Sequence, residues 1–133
     1  MKISNIRESL KEIISGQVLW DKDILKFYSV DASSYQIIPR VVVVPKSEKD
    51  VIRVVKFANK NKISVTVRGS GTGLVGSALN SGIILDLKNF TAMRVLKNSV
   101  YVETGVMKGS LDQALKSEKN FSRRIHQLDP IVQ

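Results

Sequence analysis

The sequence has no cysteine among its 133 residues. This absence excludes disulfide bonds, thiolate metal sites, iron–sulfur ligation and cysteine nucleophiles from the chain. Histidine occurs once, as His126, in a tail where we expect a surface histidine rather than a catalytic one. Neither residue type therefore provides a candidate catalytic or metal site.

Long hydrophobic runs are also missing, because no stretch approaches the roughly twenty apolar residues that cross a membrane. Residues 1–5 lead into a charged helical pattern and not into an apolar core, so no secretory signal is visible. These two absences predict a cytoplasmic protein without a transmembrane segment.

The composition is that of one globular domain, or of one piece of a larger domain, with 43% hydrophobic and 25% charged residues. The 21 basic and 12 acidic residues give a net charge of +9, which favours nucleic acid, an anionic membrane or a polyanionic cofactor as partner. The basic residues are scattered among acidic ones, however, with no run of four. A solvated basic surface is the favoured interpretation, and no nucleic-acid partner is expected.

The most informative stretch is residues 65–78, where a β-branched run ends in a glycine-rich turn. Three glycines within residues 69–73 let a ligand approach the main-chain N–H groups without meeting a Cβ atom. Successive N–H groups exposed in this way form a concave nest that binds anions. Arg68 at its mouth adds a positive charge, and Ser70 and Thr72 add hydroxyl donors. The stretch predicts a phosphate cradle, and a glycine-rich turn without a ligand is the alternative.

Residues 71–76 also match the G-x-G-x-x-G pattern of dinucleotide-binding Rossmann folds. That motif requires a helix that opens at the last glycines and holds the pyrophosphate at its N-terminus. Here the turn residues 80–82 follow closely, and residues 83–87 then predict a strand. Because no room is left for the helix, the pattern does not indicate a Rossmann site.

Hydrophobic periodicity predicts an amphipathic helix near the N-terminus, over residues 3–14. Gly16 stands where a C-cap glycine is expected. The following residues 19–35 contain a tryptophan and two tyrosines, and they predict irregular structure with buried aromatic packing.

A parallel βαβ unit is predicted over residues 41–67. Val41–Val44 is too apolar to be half exposed and predicts a central strand covered on both faces. Ser47–Asp50 has the form of a capping box that begins the helix. A second strand over residues 63–67 ends at the glycine-rich turn, which lies where open α/β sheets bind ligands. The apolar face of the helix is expected to consist of Val51, Val54, Val55 and Ala58.

Further short strands are predicted over residues 83–87, 94–96 and 100–103, because turn residues separate alternating runs there. Residues 103–106 indicate a strand that runs into a tight turn. We expect Met107, Leu111 and Leu115 to form the apolar side of a final short helix.

An ordered set of motifs runs through the chain. It consists of Tyr28-x-x-Asp31-x-Ser33-x-Tyr35, Pro39, Val43-Val44-Pro45-x-Ser47, Val51, Val54, Ile63-x-Val65-x-Val67, residues 68–76, Ile84-Leu85-Asp86-Leu87 and Val102-Glu103-x-Gly105-Val106. This set resembles the N-terminal half of the FAD-binding domain of the FAD-linked oxidases, which have the p-cresol methylhydroxylase and vanillyl-alcohol oxidase type of fold. Its Arg-Gly-Ser-Gly-Thr sequence is most similar to the D-lactate dehydrogenase and glycolate oxidase flavoprotein branch.

The resemblance implies an α+β fold, namely the N-terminal α/β part of that domain with a βαβ unit and further short strands. Relatives that attach FAD covalently carry a histidine at the position of Thr72, so the resemblance implies that FAD is bound non-covalently. It also implies that the glycine-rich loop wraps the FAD pyrophosphate. The residues of this site are Arg68, Gly69, Ser70, Gly71, Thr72, Gly73, Leu74 and Gly76.

In this family a hydride passes from the carbon of a 2-hydroxy acid to the flavin, while a base takes the hydroxyl proton. The second half of the FAD domain, the substrate cap domain and the catalytic histidines lie downstream of the matching segment. The resemblance therefore implies an FAD-binding segment that is inactive alone and binds FAD weakly or not at all. The substrate would be bound only by the full-length protein. A small non-catalytic α/β module that binds a nucleotide or nucleic acid is the alternative function.

The resemblance also divides the chain into an N-terminal helix at residues 1–19, a partial FAD-binding domain at residues 20–118 and a non-homologous tail at residues 119–133. Relatives continue after the last helix with an aromatic residue, paired prolines, Asp or Asn, and Pro-Ser. Codons chosen for residues 120–130 encode Phe-Phe-Pro-Pro-Asn-Pro-Ser-Ile-Gly-Ser when they are read two bases later. We therefore expect a frameshift near Lys119.

Overall fold

The structure is a computed structural model that describes residues 3–97 and 99–117. The predicted tail at residues 119–133, with its histidine and the expected frameshift, lies outside the described residues. The helices and strands are, in order, α1 (Ile3–Ile13), β1 (Gln17–Leu19), α2 (Lys22–Tyr28), β2 (Val41–Val44), α3 (Glu48–Asn61), β3 (Val65–Arg68), β4 (Ile83–Asp86), β5 (Met93–Val95), β6 (Val100–Val102) and α4 (Lys108–Ser117).

A four-stranded sheet in the order β1-β2-β4-β3 forms the centre of the fold, and β5 and β6 form a separate antiparallel pair. Strand β1 runs antiparallel to β2, whereas β2, β4 and β3 are parallel. The predicted βαβ unit is thus confirmed in its orientation, although β4 lies between its two strands. The α+β class is confirmed as well.

Both faces of the sheet are covered, because all four residues of β2 and all four of β4 are buried. Side chains of successive strand residues alternate between the faces. On one face Val43 and Leu85 belong to the core that α1 and α3 complete. On the other face Val42 and Ile84 pack with Tyr28 of α2. The prediction of a central strand covered on both faces is therefore confirmed.

The start of α3 confirms half of the predicted capping box. Ser47 is the N-cap, and its hydroxyl accepts a hydrogen bond from the main-chain N–H of Asp50 at 3.4 Å. The fully buried Asp50 carboxylate accepts instead from the main-chain N–H groups of Ser15 and Lys46, both at 3.0 Å, and from the Ser15 hydroxyl at 3.1 Å. This carboxylate therefore ties the connection between α1 and β1 to the connection that enters α3.

The prediction that Gly16 caps α1 is wrong. Helix α1 ends at Ile13, and Gly16 is not among the described glycines with a positive φ. A Cβ atom at this position would lie 2.3 Å from the carbonyl oxygen of Val44. The structure requires glycine here because the chain that enters β1 passes directly against the end of β2.

Residues 19–35 contain a helix that the periodicity did not reveal. Helix α2 has only seven residues, barely two turns, which is too short for an apolar repeat to become visible. The buried ring of Tyr28 confirms the expected aromatic packing, whereas Tyr35 is 60% exposed. The remainder of the segment, after Tyr28, is irregular as predicted.

The other helix and strand predictions hold with small changes. The apolar face of α3 includes Val54 and Ala58, but Val55 is 48% exposed and does not belong to it. The predicted strands near residues 83–87, 94–96 and 100–103 correspond to β4, β5 and β6. Helix α4 buries Leu111 and Leu115, but the prediction that Met107 lies on its apolar side is wrong, because Met107 precedes the helix and is 60% exposed. In the described part of the chain, no helix is long and apolar enough to span a bilayer.

We expect Asp50→Asn to lower the free energy of unfolding by about 2–3 kcal/mol at pH 7, because an amide cannot accept all the hydrogen bonds that the buried carboxylate accepts. Burial alone would raise the pKa of Asp50, but hydrogen bonds from Ser15 and Lys46 outweigh it and lower the pKa below its ordinary value. The stabilisation is therefore complete above about pH 4 and is lost as the pH falls further.

Urea unfolding of the wild type and of Asp50→Asn, measured from pH 7 down to pH 2, tests this expectation. The difference between the two proteins should shrink below about pH 4. Asp21→Asn is the control, because Asp21 precedes α2 without a side-chain capping hydrogen bond. Its effect should stay within about 0.5 kcal/mol. A difference for Asp50→Asn that does not change with pH would contradict the assigned role of the carboxylate.

Candidate functional site

The glycine loop, residues 69–76, connects β3 to the segment that returns as β4. Strands β3 and β4 are parallel, so the loop leaves the sheet at the carboxyl ends of its strands, where open α/β sheets bind ligands. The chain from residue 69 to residue 82 contains turns and bends and no helix. The absence of a Rossmann helix within this described segment agrees with the sequence prediction.

Within residues 3–97 and 99–117, no acceptor is found for the main-chain N–H groups of residues 69–77. Two carbonyl groups of the loop, in contrast, accept hydrogen bonds from main-chain N–H groups. The carbonyl oxygen of Gly71 accepts from the N–H of Ala32, and that of Gly76 accepts from the N–H of Leu79, both at 3.1 Å. A turn with fixed carbonyl groups and free N–H groups has the donor set of an anion nest.

Arg68 lies beneath the loop and not at its mouth. Its side chain is 6% exposed, and its Nη1 atom donates to the carbonyl oxygen of Val30 at 3.0 Å. The guanidinium carbon lies 5.3 Å from the centre of the Tyr28 ring, within the range of a cation–π contact. The positive charge therefore reaches the loop from the protein side.

Gly71 and Gly69 differ in their backbone conformation and in the space around their Cβ positions. Gly71 has φ +69°, and a Cβ atom there would lie 2.3 Å from Nη2 of Arg68. A larger residue at Gly71 would therefore strain the backbone and would require the Arg68 guanidinium to move. At Gly69 the φ angle is ordinary, and a Cβ atom would meet no atom of the described residues within 4 Å. The protein leaves open space directly above the first residue of the loop.

The remaining predicted site residues are all in the same turn. The hydroxyl of exposed Ser70 donates to the sulfur of Met107 at 3.5 Å, and Thr72 is exposed. Leu74 is 75% exposed at the tip of the loop. Gly76 has φ +76°, and a Cβ atom there would lie 3.0 Å from the ring of Tyr35.

Residues 30–33 support the loop. This role of the segment was not predicted from the sequence. The main-chain N–H of Ala32 donates to the carbonyl oxygen of Gly71, and the carbonyl oxygen of Val30 accepts from Nη1 of Arg68. Within the segment, the main-chain N–H of Ser33 donates to Oδ1 of Asp31 at 2.9 Å. The hydrogen bond from the Ser33 hydroxyl is the main reason why the pKa of Asp31 is lowered. The Asp-x-Ser spacing is typical of an Asx turn and was the signal available in the sequence.

A second group of side chains, which was not predicted from the sequence, lies at the carboxyl end of β4. The hydroxyl of Tyr28 donates to Oδ2 of the buried Asp86, whose Oδ1 accepts from the main-chain N–H of Lys88 at 2.9 Å. The ammonium group of Lys88 lies 3.4 Å from the same carboxylate. Burial, followed by the hydrogen bond to Asp86, raises the pKa of Tyr28 far above its ordinary value, so the phenol remains a donor. Within the described residues, no group of acidic, histidine or cysteine side chains could hold a metal ion.

Comparison with known proteins shows the family to which the chain belongs. A model described as an FAD binding domain matches residues 39–128. The D-2-hydroxyglutarate dehydrogenase of Haemophilus influenzae is 40% identical over 95 residues, which is 66% of this chain and 9% of the relative. The D-lactate dehydrogenase of Anaerostipes hadrus is 32% identical over 113 residues, which is 80% of this chain and 24% of the relative. The chain thus spans less than a quarter of the length of either relative.

Solved structures show the same fold. The crystal structure of p-cresol methylhydroxylase with bound substrate superposes with a TM-score of 0.68 at 20% identity, over 88% of this chain and 25% of that protein. The predicted fold type is thus confirmed. Since the family model covers more than half of the sequence, the chain belongs to the family of FAD-binding domains, and FAD is the cofactor of that family.

Proposed function

We propose that the glycine loop, residues 69–76, binds the diphosphate of FAD non-covalently in an FAD-dependent 2-hydroxy acid dehydrogenase or oxidase. The observation that carries the proposal is the row of main-chain N–H groups at residues 69–77, for which the described residues offer no acceptor. Main-chain N–H groups bind phosphate oxygens without needing a charged side chain at the point of contact.

The residues of the loop suit a diphosphate. The open space at Gly69 permits close approach to the first N–H groups, and the exposed hydroxyls of Ser70 and Thr72 supply further donors. Arg68 contributes positive charge from beneath the loop. Thr72 cannot form the covalent histidine link of some family members, which is why we propose non-covalent binding.

The proposed substrate class comes from the relatives, whose names are D-2-hydroxyglutarate dehydrogenase and D-lactate dehydrogenase. In such a reaction FAD supplies the hydride acceptor for the carbon that carries the hydroxyl group. The part of this protein that we assign is cofactor binding, and we propose no catalytic residue within it. Residues 1–133 alone are therefore expected to bind FAD weakly and to catalyse no turnover. The division at residue 118, the frameshift near Lys119 and the cytoplasmic location remain predictions from the sequence.

The proposal predicts that the purified chain responds to FAD and to inorganic pyrophosphate through the same main-chain groups. In ¹H–¹⁵N NMR spectra, the amide signals of residues 69–77 should shift on addition of either compound, while those of α1 remain in place. Binding to oligonucleotides that weakens steeply with salt, without any response to pyrophosphate, would contradict the proposal and favour a nucleic-acid-binding module.

A pair of glycine substitutions separates ligand binding from folding. We expect Gly69→Ala to leave the free energy of unfolding within about 0.5 kcal/mol of the wild type, because the new methyl group meets no atom of the described residues within 4 Å. The same methyl group should weaken pyrophosphate binding by about tenfold, because it occupies the approach to the N–H groups. Gly71→Ala should instead destabilise the protein by about 1–2 kcal/mol, because its φ is positive.

Thermal unfolding and NMR titration with pyrophosphate measure both properties of each variant. Gly109→Ala is the matched control, because Gly109 also has open space around its Cβ position but lies in α4. It should bind pyrophosphate as the wild type does. If Gly69→Ala binds pyrophosphate with unchanged affinity, the first part of the loop is not the diphosphate site.

A further inference from the structure

The carboxyl ends of β3 and β4 carry a polar group of side chains directly beneath the glycine loop. Arg68 and Asp86 are register partners in the two strands, so their side chains lie on the same face of the sheet. On that face the preceding strand residue Ile84 is apolar and packs against Tyr28. The core therefore changes from apolar to ionic where the strands end.

A continuous series of contacts leads from Asp86 to the loop. The carboxylate of Asp86 accepts a hydrogen bond from the hydroxyl of Tyr28. The ring of Tyr28 in turn lies under the guanidinium of Arg68. The guanidinium in turn holds the carbonyl group of Val30 and occupies the space where a side chain of Gly71 would be. Each contact fixes the position of the next group.

The position of the Arg68 guanidinium depends on these contacts with Tyr28 and Val30. Arg68 is buried, yet it forms no ion pair with a carboxylate in the described part of the chain. The face of Tyr28 and the carbonyl group of Val30 are the contacts that orient it. Since the Tyr28 ring is tethered at its hydroxyl by Asp86, loss of that hydrogen bond would free the ring and the guanidinium together.

We propose that Tyr28 and Asp86 are positioning residues for the diphosphate loop, and that they act on it through Arg68 without touching the ligand. The proposal rests on the assignment of residues 69–76 as the diphosphate site. It assigns Arg68 to the support of the loop, where the geometry of the guanidinium is required as well as its charge. A purely structural role for Tyr28 would affect stability and leave the affinity of the folded protein unchanged.

The test uses the full chain, ¹⁵N labelling and inorganic pyrophosphate as the ligand. Tyr28→Phe removes only the hydroxyl group. We expect the amide signals of residues 69–77 to move before any ligand is added, and the pyrophosphate affinity of the folded protein to fall at least fivefold. Tyr101→Phe is the matched control, since Tyr101 is an exposed residue of β6, and its affinity should equal that of the wild type.

Two further variants make the result independent of whether Tyr28→Phe folds well. Asp86→Ala removes the acceptor of the Tyr28 hydroxyl and leaves the Tyr28 side chain intact, so it should lose at least fivefold in pyrophosphate affinity. Arg68→Lys retains the positive charge but lacks the planar fork that reaches Val30, so it should lose at least fivefold. A lysine variant that binds as tightly as the wild type would overturn the proposal, because charge alone would then suffice.

The two proposals fail in different ways. If pyrophosphate leaves the amide signals of residues 69–77 of the wild type unchanged, the diphosphate site is wrong. The positioning role, in contrast, is overturned if wild type and Tyr28→Phe bind pyrophosphate equally well while folded, or if the loop signals of the unliganded variant coincide with those of the wild type.

Discussion

The constraint on which the structure depends is a difference in hydrogen bonding between the main-chain carbonyl groups and the main-chain N–H groups of the loop. The carbonyl groups of Gly71 and Gly76 are bonded to protein N–H groups, whereas the N–H groups of residues 69–77 find no acceptor in the described part of the chain. Free N–H groups are tolerated because the loop is half exposed and water can pair with them. An anion that replaces this water gains several donors at once, with little reorganisation of the turn.

Such a loop keeps its shape only if the sheet below it is rigid. The two central strands are buried on both faces, and each buried valine or isoleucine side chain stabilises the fold by about 1.5–3 kcal/mol. The two carboxylates that are buried in the described part of the chain have separate roles. Asp50 joins α1 to the start of α3, far from the loop along the chain, whereas Asp86 lies at the strand ends and holds Tyr28 beneath the loop. The first therefore stabilises the scaffold, and the second lies beneath the loop that we propose as the diphosphate site.

The sequence predicted the parts of the fold that depend on local pattern and composition. The valine run of β2, the parallel strands and the glycine-rich turn at a carboxyl end all follow from residues that are close in the chain. What it could not predict depends on distant neighbours. The side-chain direction of Arg68 is set by Val30 and Tyr28, some forty positions earlier, and the need for glycine at Gly16 arises only where the chain passes against β2. Neither contact leaves a periodic signal.

The glycines of the loop show why composition alone cannot locate a ligand. Gly71 and Gly76 are required by their positive φ, and a Cβ atom at Gly73 would meet only the movable hydroxyl of Ser77, at 2.9 Å. No such reason exists for Gly69 within the described residues. In the printed sequence these glycines are equivalent, and only the structure separates Gly71 and Gly76, which the backbone conformation requires, from Gly69, which it does not. Because a glycine costs conformational entropy on folding, the glycine at position 69 fits the proposed function, in which a ligand approaches the adjacent free N–H groups closely. The proposed diphosphate suits this position, because free N–H groups bind anions and the absence of a Cβ atom lets the phosphate oxygens come close.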